Sequence, residues 1–103
     1  LYQLVLTTCP DIAVAKTIAE ILVSKKLAAC VNIVPNITSV YQWQGEMHCD
    51  EEVQLIIKTL DTVFTQLKEE INLVHPYDVV EIIALNVQQG DEHYLNWISN
   101  ALN

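Results

Sequence analysis

The sequence contains no arginine. Its five basic residues are all lysine and stand against thirteen Asp and Glu, a formal charge of −8. Nucleic-acid binders take most of their affinity from neutralising phosphates, and arginine is the side chain that reads guanine with a two-pronged fork. Both are missing, which argues against nucleic acid as a partner. An acidic surface instead suits solubility and draws cations toward it. Glycine and proline are also scarce, at two and three residues, while 51% of the chain is apolar. That composition excludes a disordered or low-complexity chain.

Long apolar runs are absent too. Nothing approaches the ~20 residues that cross a bilayer, and Leu1–Leu6 is too short for a signal-peptide core and has no basic flank. The expectation is a cytoplasmic protein with no membrane partner, although a chain that opens on Leu1 leaves a trimmed N-terminus open. The three cysteines, Cys9, Cys30 and Cys49, follow no zinc or redox spacing. They read as reduced thiols. Also missing are a glycine-rich phosphate loop, a paired-histidine zinc motif, a nucleophile elbow and a dinucleotide fingerprint. No catalytic constellation is complete, so an enzyme would need a site assembled between subunits.

At 103 residues the chain suits one domain, 1–103, with one core. Leu1–Thr8, rich in Leu and Val, reads as a central strand. Pro10 and Asp11 suit a helix start, and Ile12, Ala15, Ile18, Ala19 and Leu22 recur at helical spacing to about Lys26. Lys25 and Lys26 would then complement the helix dipole. Alternation resumes through Ile37, Ser39, Tyr41 and Trp43, Gly45 marks a hairpin turn, and a return strand ends near Thr59. Asp61 is placed to cap a second helix that Pro76 stops. Val79–Val87 reads as the fourth strand, and Asp91 as the cap of a short last helix. The order βαββαβ plus a C-terminal helix predicts an α+β, ferredoxin-like sandwich with two helices on one sheet face.

The second and third strands form the unusual element. As one strand, Ala29–Gln44 would span roughly 50 Å at ~3.3 Å per residue, against a domain diameter of roughly 34 Å from a ~13 Å radius of gyration. Such a ribbon overhangs its own domain and carries Tyr41 and Trp43 out with it. A partner copy would cover these large groups, which makes them candidate oligomerisation residues in a closed homo-oligomer. The alternative is a true turn at Pro35-Asn36 that folds two ordinary strands back within the monomer. The continuous ribbon requires a bulge at Pro35.

Three polar groups are candidates for chemistry. Cys9 lies at a helix N-terminus, where the dipole favours a thiolate, but Asp11 opposes this and a small buried thiol is the plainer reading. Cys30 and Cys49 read as packing residues. His48, Asp50 and Glu52 alternate on one strand face, a spacing that suits a divalent cation and equally suits any solvated face. His75-Pro76-Tyr77-Asp78 with Glu81 lies where a helix ends and a strand begins, and Lys58 ends a strand expected nearby. This group suits a small ligand or ion, or simply a capped turn in which Glu81 neutralises Lys58.

The segments Leu6-Thr7-Thr8-Cys9-Pro10-Asp11, Leu27-Ala28-Ala29-Cys30-Val31, Tyr41-Gln42-Trp43-Gln44-Gly45, Ile57-Lys58-Thr59, His75-Pro76-Tyr77 with Glu81, and Tyr94-Leu95-Asn96-Trp97 together resemble the CutA divalent-cation-tolerance family. The resemblance spans nearly the whole chain. It implies a homotrimer built from long hairpins, an architecture similar to the PII signalling proteins, and a non-catalytic role in tolerance of divalent metals, copper above all. The copper ligands proposed for some family members, a cysteine before the proline and a His-His pair, fall here at Thr7 and at Val74-His75. Only His75 is kept, with Cys9 two residues along from Thr7 as a substitute metal ligand. The usual proline before Glu81 is Val80. The resemblance also leaves open a PII-like sensor that binds a small ligand between subunits through Lys58, His75, Tyr77 and Glu81, or an interaction scaffold.

Overall fold

The computed structural model describes residues 1–103. In order they form β1 (Tyr2–Cys9), α1 (Ile12–Ser24), β2 (Cys30–Trp43), β3 (Glu46–Leu60), a single 3-10 turn at Asp61–Val63, α2 (Phe64–Val74), β4 (Ile83–Asn86) and α3 (Glu92–Ala101). The strands make one antiparallel sheet in the order β2-β3-β1-β4. This is the strand order of the expected ferredoxin-like α+β fold.

Local sequence signals account for most element ends. The Asp11 carboxylate accepts the Val14 N–H at 2.9 Å and Asp91 accepts that of Tyr94 at 3.1 Å, each occupying an otherwise free donor of a first helical turn. His75 is extended, with φ −80° and ψ 135°, as a residue before proline must be, so α2 stops at Val74. Gln44 and Gly45 both take positive φ, 51° and 81°, the two-residue turn that matches the twist of a hairpin.

The core lies between one sheet face and α1 and α2. Val5 and Cys9 of β1 and Val53, Leu55 and Ile57 of β3 meet Ala15, Ile18 and Leu22 of α1 and Leu67 and Ile71 of α2. Thr59, also wholly buried, donates its hydroxyl proton to the Leu27 carbonyl at 2.7 Å. α3 lies against the end of the sheet where β1 begins, with the Tyr2 and Ser99 hydroxyls 2.6 Å apart.

The ribbon is continuous. Its register shifts between Val34 and Ile37, so Pro35 and Asn36 together oppose Val53, and Asn36 has φ 62°. This is the bulge that proline demanded, and it has a consequence for faces. Val31 and Ile33 pair with Ile57 and Leu55 and pack on the core, whereas Ile37 and Tyr41 pair with Glu52 and His48. One extra residue turns the odd positions of β2 from the helix face to the open face. The molecule measures 45 × 26 × 22 Å with a radius of gyration of 14.2 Å, and its longest dimension equals the ~46 Å expected for the fourteen residues of β2.

Three expectations are corrected. β4 spans Ile83–Asn86 rather than Val79–Val87, because the preceding segment is tied to β1 and β3 through His75 and Tyr77 and joins the sheet late. Asp61 caps no helix; its carboxylate takes the Leu1 ammonium at 2.8 Å. α1 ends at Ser24, and its lysines serve tertiary contacts: Lys25 pairs with Glu70 of α2 at 2.8 Å, and Lys26 donates to the Asn103 carbonyl at 2.7 Å.

Candidate functional site

A groove of about 770 Å³ opens between the ribbon and the segment that follows α2, lined among others by Thr8, Tyr41, Trp43, Glu52, Tyr77 and Glu81. Each wall has a local cause. The bulge at Pro35-Asn36 turns Tyr41 and Trp43 to this side, and the alternation of β3 brings Glu52 and Asp50 to the same face.

The far wall is held by His75. Its Nε2–H donates to the Thr8 carbonyl at 2.7 Å, and its Nδ1 accepts the Tyr77 backbone N–H at 3.1 Å. A carbonyl can only accept and an amide N–H can only donate, which fixes the neutral tautomer. With both ring nitrogens used and the residue buried, His75 is a clamp between β1 and the groove. Its ring lies 4.6 Å from that of Tyr77, whose hydroxyl donates to Glu52 at 2.8 Å.

Burial first, and the Glu52 carboxylate second, push the Tyr77 phenol well above its ordinary 10.0. A phenol raised in the folded state stabilises the fold fully below its unfolded pKa and loses that contribution as pH rises through the folded value. Stability should therefore fall as pH climbs above 10, and Tyr77→Phe should flatten that fall in urea midpoints measured against pH. An unchanged slope in Tyr77→Phe would refute the assignment. Tyr41 is raised as well, through donation to Asp50 on the neighbouring strand.

The structure gathers only part of the expected site. Tyr77 and Glu81 line the groove and His75 stands behind them. Lys58 does not join them: it reaches Asn32 and lies 4.0 Å from the Cys30 sulfur, six residues and roughly 20 Å along β3 from Glu52. No Lys58–Glu81 ion pair forms in the single chain, whose ion pairs are Leu1–Asp61 and Lys25–Glu70. Glu52 is the groove residue missing from the expected ligand set. Its only sequence signal was its place in the alternating row with His48 and Asp50, because the partner that matters is twenty-five residues away.

Copper ligation by Cys9 and His75 does not fit the geometry. Cys9 is fully buried, its thiol donates to the Asp11 carbonyl at 3.4 Å, and burial pushes its pKa up. A metal ion binding there would have to displace this proton and break this hydrogen bond. His75 has no free lone pair, and Thr7, at the position of the family's cysteine, presents a buried hydroxyl with no partner. The His48, Asp50 and Glu52 row supplies no alternative, since no three His, Cys, Asp or Glu groups come close enough to hold an ion. His48 instead stacks on Tyr41 at 5.4 Å. Cys49 is exposed and Cys30 half-buried, so Cys49 does not pack as expected. An aromatic disulfide reagent should modify Cys49 first and reach Cys9 only when the protein unfolds; reaction of Cys9 at the rate of Cys49 would contradict this burial.

No helix is long and apolar enough to cross a membrane. Residues 3–101 match the family model described as CutA1 divalent ion tolerance protein. The divalent-cation tolerance protein CutA of Thermus thermophilus is 50% identical over 96 residues, which cover 93% of each chain. A solved structure of the divalent cation tolerance protein from the same organism superposes with a TM-score of 0.92 at 49% identity, covering 94% of both chains. The Archaeoglobus fulgidus structure, described as a periplasmic divalent cation tolerance protein CutA, gives 0.97 at 33% identity and covers both chains completely. Protein CutA of Homo sapiens is 50% identical over 91 residues, 88% of this chain but 51% of the human one, so the chain spans about half of that relative. A match of this extent in sequence and in fold places the chain in the CutA1 divalent ion tolerance family.

Proposed function

We propose that the chain acts in the cytoplasm as a homotrimer that takes up a divalent cation, copper foremost, and turns over no substrate. The observation that carries assembly is the open sheet face. Leu6 lies between Ile56 and Ile83, and Leu4 beside Leu85, in neighbouring rows across β3, β1 and β4. Ile83 and Leu85 are 52% and 49% exposed in the single chain. The accessible surface, 6492 Å², exceeds the roughly 5,900 Å² typical of a monomer of this mass. Further copies would cover this excess.

The family supports the cation, and the charge of −8 would concentrate it. With Cys9 and His75 engaged, the reading assigns the ion to side chains that only neighbouring subunits bring together at their boundaries. Calorimetric titration of copper and zinc into the assembled protein tests this. Micromolar or tighter binding that persists in His75→Ala supports it, binding lost in that variant returns the ligand role to His75, and no binding sinks the reading. The buried Cys9 and the His75 ring with both nitrogens occupied offer no free nucleophile and base, which supports a non-catalytic role.

The groove favours a second reading, a PII-like small-ligand sensor. Its volume of about 770 Å³ falls within the range of small-molecule sites, and Tyr77 and Glu81 remain in its ligand set. Native mass spectrometry after gentle lysis would show a retained ligand of defined mass; a groove that stays empty across a metabolite panel would count against it.

A further inference from the structure

Lys58 is the only basic residue of the four strands; the other lysines belong to α1, the turn after it and α2. The alternation of β3 sets it on the open face, between Leu4 of β1 and Cys30 of β2. Half-buried there, it reaches Asn32 and the Cys30 sulfur, and neither of the chain's ion pairs gives it a carboxylate. Glu81 is its counterpart. It follows Leu85 and Ile83 by alternation onto the same face and lines the groove beside Thr8. Glu52, in the same groove, already accepts the Tyr77 hydroxyl, whereas neither ion pair of the chain involves Glu81. Thr8 lies four residues from Leu4, ~13 Å along β1, and the line of β4 is two strands from β3 at ~4.8 Å each. Two unanswered charges of opposite sign thus stand apart on one face whose middle is Leu6, Ile56 and Ile83. Copies that cover this face cover both. A covered charge without a counter-ion is strongly destabilising. Contacts around a three-fold ring join one patch to a different patch of the next copy, so the basic end of the face can meet the acidic end, and complementary charge fixes that choice.

We infer that Lys58 of each subunit enters the acidic groove of its neighbour and pairs with the partner subunit's Glu81. The groove is then completed by a cation that its own chain does not supply, and a ligand at the boundary meets both charges. The inference rests on the homotrimer reading and is independent of where a divalent metal binds.

Charge reversal tests it, with the trimer's dissociation constant read by sedimentation over a dilution series of the full chain. The buffer is metal-free at about 0.15 M salt, where charges are screened beyond ~8 Å. Lys58→Glu and Glu81→Lys should each weaken assembly at least tenfold with an unchanged far-ultraviolet spectrum. The double variant should return to within threefold of the parent. Lys68→Glu, the same reversal at an exposed position of α2, should change assembly less than twofold. A double variant no better than the single ones, single variants that assemble like the parent, or equal weakening by Lys68→Glu would each overturn the inference while the trimer stands. A parent chain that sediments as a monomer would remove the homotrimer reading itself. If a reversed charge prevents folding, Lys58→Met and the isosteric Glu81→Gln decide the matter: losses that do not add in the double variant support the pair, and losses that add overturn it.

Discussion

Leu55→Ala will lower the free energy of unfolding by about 3–4 kcal/mol, the usual cost when a leucine at the centre of a packed core becomes a cavity. Leu55 has no exposed surface. It sits on β3 between Thr7 of β1 and Ile33 of β2, facing α1 and α2, with neighbours on both adjacent strands that cannot close the gap. A domain of this size has roughly 5–15 kcal/mol in total, so the loss is a large share of it. Urea unfolding at one fixed protein concentration, which holds constant the stability that the proposed assembly would add, measures the effect. A change below about 1 kcal/mol would mean that this strand is not the centre of the core.

Leu85→Glu will leave the subunit folded and take the assembly apart. Leu85 is half exposed in the single chain and pairs across the sheet with Leu4, so the monomer can tolerate the carboxylate. In a closed assembly every interface would bury an unpaired charge, at a cost of several kcal/mol each, repeated by symmetry. Sedimentation at micromolar concentration should show monomers with an unchanged far-ultraviolet spectrum. A variant that sediments like the parent protein would show that the interface lies elsewhere.

The sequence made the local features of the fold legible. Asp11, Asp91, Gly45 and Pro76 act within a few residues of themselves, through one carboxylate, one positive φ or one forbidden helical conformation, so a linear reading can find them. The bulge at Pro35 was legible for the same reason. Its effect on Tyr41 and Trp43 was not, because a change of face has meaning only once the register to β3 is known. The site was read less well. His75 and Tyr77 stood out, yet their partners, the Thr8 carbonyl and Glu52, lie 67 and 25 residues away. Lys58 was placed near them from the expected end of its strand, and the register of β3 carries it to the opposite end of the open face. The resemblance to the CutA family supplied the cation, which no arrangement of ligands in the single chain would have suggested.

The central claim is that the overhanging ribbon and the open sheet face assemble three copies of this chain to hold a divalent cation. Native mass spectrometry of the purified protein, with and without copper, tests both parts together. Three copies of the 11.7 kDa chain, about 35 kDa, gaining copper in a fixed ratio to subunits in wild type and in His75→Ala alike, is the result this account predicts. A species of one chain's mass, or a trimer that gains no copper at any concentration, would contradict it.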